Sequence, residues 1–167
     1  MTKVGIIGYG VVGRAAENTL KKNFSIVKYD KYQDLDDFKL LKDCEFTFIM
    51  VPTPYDCKKN IVNILALEES LRRLKEIKYN GIILIKSTVP PGTCDKFSED
   101  YNLDIVFNPE FLRESTTPNE DFENQDTIVI GTESLPIFNL VKEMYQQIAI
   151  PEATYYHTTV KEAEMIK

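Results

Sequence analysis

The sequence has no tryptophan, a single histidine (His157) and three cysteines in 167 residues. Cys44, Cys57 and Cys94 are odd in number and lack metal-ligand spacing, and His157 has no partner imidazole, so neither a zinc site nor a disulfide framework organises this chain. Reduced structural thiols are expected, with a reactive thiol at Cys57 or Cys94 as the alternative, since both read as loop positions on the ligand side. Positive charge is also short. Twenty Lys and Arg against 26 Asp and Glu leave a net charge of -6, and there is no basic stripe to displace counterions from a nucleic acid. No apolar run approaches the length of a bilayer span, and the first residues enter a strand directly. Neither an anchor nor a signal peptide is expected, and the expected location is cytoplasmic. Repeats and low-complexity linkers are missing too. With 43% hydrophobic and 28% charged residues the chain falls among ordinary globular proteins, and its length suits one domain.

Glycine is scarce, which makes its distribution informative. Three of the seven glycines stand in one short stretch, Gly8-Tyr9-Gly10-Val11-Val12-Gly13, directly after the apolar run Lys3 to Ile7. An apolar run fits a buried strand, and Gly-x-Gly-x-x-Gly turns the chain and opens a helix from about Val11 to Lys22. In that arrangement Gly8 makes the tight turn, Gly10 lets a pyrophosphate approach bare backbone, and Gly13 lets the helix pack closely on the strand. The free N–H groups of the helix start then hold the phosphates. A second apolar run, Ser25 to Tyr29, ends in Asp30, about 20 residues after the first glycine, where a carboxylate meets a ribose 2′-OH. Strand, turn, helix, strand and acid in this order point to dinucleotide binding.

Further units follow the same rhythm. A short helix is expected over Asp34 to Leu41, then a strand over Glu45 to Val51 that Pro52-Thr53-Pro54 stops in an extended loop. Asn60 to Ile77 has the apolar spacing of an amphipathic helix. Gly81 to Lys86 is a strand, and Ser87-Thr88-Val89-Pro90-Pro91-Gly92-Thr93 follows at its carboxyl end. Those hydroxyls either face a ligand or cap the next helix. Leu103 to Phe107 is a strand ending in Asn108-Pro109-Glu110-Phe111-Leu112-Arg113-Glu114. A helical turn here would set Glu110 and Glu114 on one face beside Arg113, able to orient a water or a proton acceptor, or merely complementing a helix dipole. Thr116 to Asn124 reads as a mobile loop. Asp126 to Gly131 is a strand, Ser134 caps a helix to about Ile148, and Ala153 to His157 is a last short strand. Thr159-Val160-Lys161-Glu162 is a capping box opening a helix that runs to Lys167. A helix of barely two turns with no closing cap reads as one cut short.

Several of these stretches together resemble UDP-glucose 6-dehydrogenase and its nucleotide-sugar dehydrogenase relatives. They are Gly8 to Gly13 with Asp30, Val51-Pro52-Thr53, Lys86-Ser87-Thr88-Val89-Pro90, Asn108 to Glu114, and Glu162-Ala163-Glu164-Met165-Ile166-Lys167. The glycine pattern is widespread, whereas the KSTVPPGT and NPEFLRE stretches are specific. The fold the resemblance implies is a single-domain α/β Rossmann-type one, doubly wound around a mainly parallel sheet. Residues 1–157 would form the NAD-binding domain and 158–167 the start of a truncated central helix.

The implied activity is NAD-dependent oxidation of a nucleotide-sugar C6 alcohol to a carboxylate, with UDP-glucose favoured, and the full-length enzyme a homodimer or larger. The implied cofactor-binding residues are Gly8, Tyr9, Gly10, Val11, Val12, Gly13, Asp30, Lys31, Val51, Pro52, Thr53, Thr88 and Glu114. Those implied for the substrate are Glu110, Phe111, Leu112, Arg113, Glu114 and Lys167. Glu110 would move a proton through a water, Lys167 would stabilise negative charge on the substrate oxygen, and Thr88 would stand beside the reacting groups. Three departures stand against the family pattern. The family's catalytic cysteine, which holds the aldehyde, has no counterpart here, so the second oxidation should fail in this chain alone. The link from Asp30 to the next strand is short and lacks the expected basic residue, Leu35 standing near its place and Lys31 being taken as the substitute. Ser115 replaces a common glycine. A stand-alone NAD-binding or regulatory module and a β-hydroxyacid dehydrogenase domain are the alternative readings.

Overall fold

Alternation of side chains along short apolar strands builds a sheet with two buried faces. The computed structural model describes all 167 residues, Met1–Lys167. Seven strands, β1 (Lys3–Ile7), β2 (Ser25–Tyr29), β3 (Phe46–Ile49), β6 (Ile82–Ile85), β7 (Ile105–Phe107), β8 (Thr127–Gly131) and β9 (Thr154–Thr158), form one sheet in the order β2-β1-β3-β6-β7-β8-β9. Neighbours pair in parallel except β7 with β8, which are antiparallel. Chain order reverses between β1 and β3, because β2 lies on one side of β1 and β3 on the other. Such a switch point opens a crevice beyond the strand carboxyl ends.

Helices cover both faces. On one, Leu67, Leu71 and Leu74 of α2 (Leu65–Glu76), Phe97 of α3 (Thr93–Tyr101) and Ala163 of α6 (Val160–Ile166) pack with Ile49, Ile83 and Ile85. On the other, Ala15, Ala16 and Leu20 of α1 (Val11–Leu20), Phe122 of α4 (Pro118–Glu123) and Val141 and Tyr145 of α5 (Leu135–Gln146) pack with Ile6, Phe48 and Leu84. Leu67, Leu71 and Leu74 are each fully buried, a gain of about 1.5–3 kcal/mol apiece. The expected doubly wound, mainly parallel α/β architecture is the one observed.

Local differences have identifiable causes. The helix expected over Asp34 to Leu41 is a 3-10 helix at Phe38–Asp43, because the Asp37 side chain accepts from the Lys39 N–H and starts the turn there. The amphipathic helix begins at Leu65, not Asn60. Asn60 to Asn63 instead belongs to a hairpin, β4 (Tyr55–Asp56) with β5 (Ile61–Val62), which takes Asn60 through a left-handed φ of 55°. Thr116 to Asn124 is not a loop throughout, since Pro118 starts α4 and Phe122 anchors it in the core. Cys94 lies inside α3, fully buried, and not in a ligand-side loop. The capping box of α6 forms as read. That helix also clamps its neighbour: the buried Glu164 carboxylate accepts from Gly92 N at 2.5 Å and Cys94 N at 2.8 Å, capping the otherwise uncapped start of α3.

Candidate functional site: a cleft at the strand carboxyl ends

The first turn sets the floor of the cleft. Gly8 has φ +92°, and a Cβ there would sit 2.5 Å from the Met50 carbonyl; a Cβ on Gly13 would sit 2.2 Å from the Gly8 carbonyl. Both glycines are therefore fixed by the protein's own packing. Gly10 differs, because a Cβ there meets nothing within 4 Å. The space above Gly10 is open, bordered by Val11 and Val12. Helix α1 has no side-chain cap and no acid in its first turn, so its leading amides keep their donors for an anion. Bare backbone and free donors together make a cradle that fits a diphosphate.

Asp30 is locked at the adjoining edge. One carboxylate oxygen accepts from Tyr9 N at 2.8 Å and the other from Tyr32 N at 2.9 Å, which aims the group into the crevice while each oxygen keeps a lone pair. The Tyr9 ring turns the opposite way, its hydroxyl bonding to Glu17, which also pairs with Lys28 at 2.8 Å. That contact raises the Tyr9 pKa, so the phenol stays protonated and Tyr9 offers the cleft its backbone alone. Lys31 pairs with Glu69 of α2 at 2.8 Å.

Two hollows meet above the switch point and share Gly10, Met50, Val51 and Pro52. One, of about 560 Å³, has Gly8, Asp30, Lys31, Leu65 and Arg73 on its walls. The other, of about 370 Å³, is lined by Thr53, Lys86, Ser87, Thr88, Glu110, Glu114 and Lys167. Two hydrogen bonds tie the loops after β3 and β6 into one wall: Thr53 Oγ1 donates to the Thr88 carbonyl at 2.7 Å and Ser87 Oγ to the Val51 carbonyl at 2.6 Å. Glu110 carries the opposite wall. Its carboxylate meets the Lys167 ammonium at 2.5 Å and the Leu112 N–H at 2.8 Å, and both side chains of the ion pair are about 85% removed from solvent. Asn108 steadies this segment, donating to the Val129 carbonyl at 2.7 Å and accepting from Tyr145.

The helical turn expected at Glu110 to Glu114 does not form, because Asn108, Lys167 and the Leu112 amide hold the segment in an irregular path; only Glu114 to Thr116 turns. Glu110 and Glu114 still face the same hollow. Arg113 does not join them. Its guanidinium forks onto Asp121 of α4 at 2.7 and 3.0 Å, and with Phe111 and Leu112 it lines a separate hollow that touches the cleft at Glu110. No cysteine lines the cleft. Burial pushes the Cys44 thiol up to about 11 and raises Cys94 as well, so neither serves as a nucleophile. Lys86 passed unnoticed as a functional candidate in the sequence. It is buried among Phe48, Phe122 and Tyr145, with only the Asn108 carbonyl at 3.3 Å as partner, and burial draws its pKa down to about 7.

The sequence profile of the UDP-glucose/GDP-mannose dehydrogenase family, NAD binding domain, matches residues 12–149. The chain belongs to this family. Among curated relatives, UDP-glucose 6-dehydrogenase YwqF of Bacillus subtilis is 33% identical over 138 residues, covering 77% of this chain and 30% of that protein. An uncharacterized protein of Methanocaldococcus jannaschii is 35% identical over 140 residues, covering 78% of this chain and 15% of its own length. The chain thus spans a third or less of the curated relatives it matches. A UDP-glucose dehydrogenase from Pyrobaculum islandicum superposes with a TM-score of 0.84 at 22% identity, over 99% of this chain and 48% of that one, which shows a shared fold. Family membership sets aside the β-hydroxyacid dehydrogenase reading. It also names NAD as the cofactor of the domain, and the bare backbone at Gly10 has room for a diphosphate.

Proposed function

We propose that this chain is the cofactor-binding part of an NAD-dependent nucleotide-sugar dehydrogenase, acting on a C6 alcohol with UDP-glucose as the favoured substrate. The observation that carries the reading is the single cleft with an open glycine cradle and a locked acid at one end and a shielded Glu110–Lys167 pair at the other. When bound, NAD supplies the hydride acceptor. In this reading Gly8 to Gly13 hold the diphosphate, Asp30 binds the adenosine ribose, and Val51, Pro52, Thr53 and Thr88 flank the nicotinamide half with Glu114 beside it. Lys31, tied to Glu69, closes the ribose end instead of binding a phosphate.

Lys167 then places a positive charge where an alkoxide develops on the substrate oxygen, and Glu110, held by Lys167 and the Leu112 amide, passes the hydroxyl proton to a water. Phe111, Leu112 and Arg113 extend from Glu110 into the neighbouring hollow, whose polar walls suit part of the sugar nucleotide. Oxidation beyond the aldehyde needs a thiol in the cleft, and the residues here supply none. The alcohol-to-carboxylate reaction accordingly belongs to the longer protein that the relatives represent, working in the cytoplasm as a homodimer or higher oligomer.

Calorimetric titration of this chain with NAD, NADP and UDP-glucose tests the reading. NAD binding, weaker NADP binding and weak or no UDP-glucose binding are expected. Tighter binding of NADP than NAD, or binding of neither, overturns it.

A further inference from the structure

Arg73 is placed oddly for a surface cation on α2. Its guanidinium carbon lies 3.9 Å from the centre of the Phe38 ring, a distance that only a face-on approach allows, and 4.7 Å from that of Tyr29. Those rings stand at 87° to each other, 4.9 Å apart, so the guanidinium fills the corner between them. One of its nitrogens donates to the Tyr29 hydroxyl at 2.5 Å. No carboxylate claims it, because Glu69, one turn earlier, is engaged by Lys31. The short link between Asp30 and β3 brings Phe38 and α2 together and so makes this corner possible. Arg73 also borders the 560 Å³ hollow beside Asp30, whose other walls include the apolar Leu65, Ala66 and Pro54.

We propose that Arg73 is a cofactor-binding residue: one face of its guanidinium rests on Phe38, and the other is the wall on which the adenine of the dinucleotide stacks. A planar cation is a good partner for a purine face, and this one is held in place before the ligand arrives, so little freedom is lost on binding. Asp30 fixes the ribose beside it, and Leu65 closes the hollow from the α2 side. The inference rests on the placement of the adenosine half given above.

The test compares the unsubstituted chain with Arg73→Met and Arg73→Lys, using NADH fluorescence and competition by AMP. Arg73→Met keeps an apolar stem on Phe38 and removes the cationic plane; Arg73→Lys keeps the charge and gives up the plane. NADH and AMP should each bind about 3- to 30-fold more weakly to both variants, the size expected for a stacked cation. Should the Met variant fail to fold, the Lys variant decides. Affinities within twofold of the unsubstituted chain overturn the role of Arg73 and leave NAD binding standing. An unsubstituted chain that binds neither NADH nor AMP overturns both.

Discussion

Lys167 and Glu110, 57 residues apart, meet twice: the ammonium lies 2.5 Å from the Glu110 carboxylate and 2.9 Å from its backbone carbonyl. The pair therefore joins the end of α6 to the irregular segment after β7, and it does so mostly out of water. Lys167→Met should leave the Glu110 carboxylate with the Leu112 amide as its one remaining donor and lower stability by about 1.5–3 kcal/mol in chemical denaturation. An unchanged midpoint would show that the pair exchanges freely with solvent.

The glycines of the first turn separate packing from binding. Gly13→Ala drives a Cβ to 2.2 Å from the Gly8 carbonyl, so it should destabilise the fold by about 1–3 kcal/mol or more. Gly10→Ala meets no atom within 4 Å and should shift stability by less than about 0.5 kcal/mol, yet weaken NADH binding at least tenfold by occupying the diphosphate's place. Thermal melts and NADH titration of the two variants check this. Equal effects of both on stability would mean the cradle is not open.

In the proposed reading Asp30 sets the choice of dinucleotide. Asp30→Asn removes the negative charge proposed to face the ribose and weakens the grip on the Tyr9 and Tyr32 amides. NAD should bind about 10- to 100-fold more weakly, and the preference over NADP should shrink. Calorimetry with both dinucleotides decides, and an undiminished preference would place the discrimination elsewhere.

Lys86 predicts how stability varies with pH. Its pKa falls from an ordinary 10.5 to about 7 because of burial, with Glu110 pulling it back up and Lys167 pushing it further down. Between those values the unfolded chain holds a proton that the folded one has released, so stability from this group rises with pH over the window. Below about 7 both states are charged and the full cost of burying the ammonium is present. Lys86→Met should therefore stabilise by on the order of 1–4 kcal/mol at pH 6, and the gain should fade as pH approaches 10. Denaturant midpoints across that range are the measurement; a gain independent of pH would mean the ammonium is solvated.

The strands of the main sheet are legible because fully buried parallel strands are short apolar runs with polar ends, as at Ile82 to Ile85 and Phe46 to Ile49. Gly8 and Asp30 were legible for the same local reason, since a turn and the residue closing a strand are set by near neighbours. The Glu110 segment was not. Its spacing suggests a helix, and what holds it out of one comes from Lys167, Tyr145 and Val129, distant partners that no window of sequence contains. Cys94 was misplaced because Pro90, Pro91 and Gly92 read as loop, whereas the cap that lets α3 begin at Thr93 is supplied by Glu164 from 70 residues away. Arg73 carries no local signal: in sequence it is one charge among several on the polar side of an amphipathic helix, and only the fold brings Phe38 and Tyr29 beneath it.

Glu164 on α6 and Lys167 at its end have separate duties, one gripping the first amides of α3, the other the Glu110 wall of the cleft. A seven-residue helix has little rigidity of its own, so these two anchors hold it more than its backbone does. Any torque that rotates α6 would release both anchors in one event, and hydrogen exchange at Gly92 and Cys94 would then report on the state of the cleft from its far side.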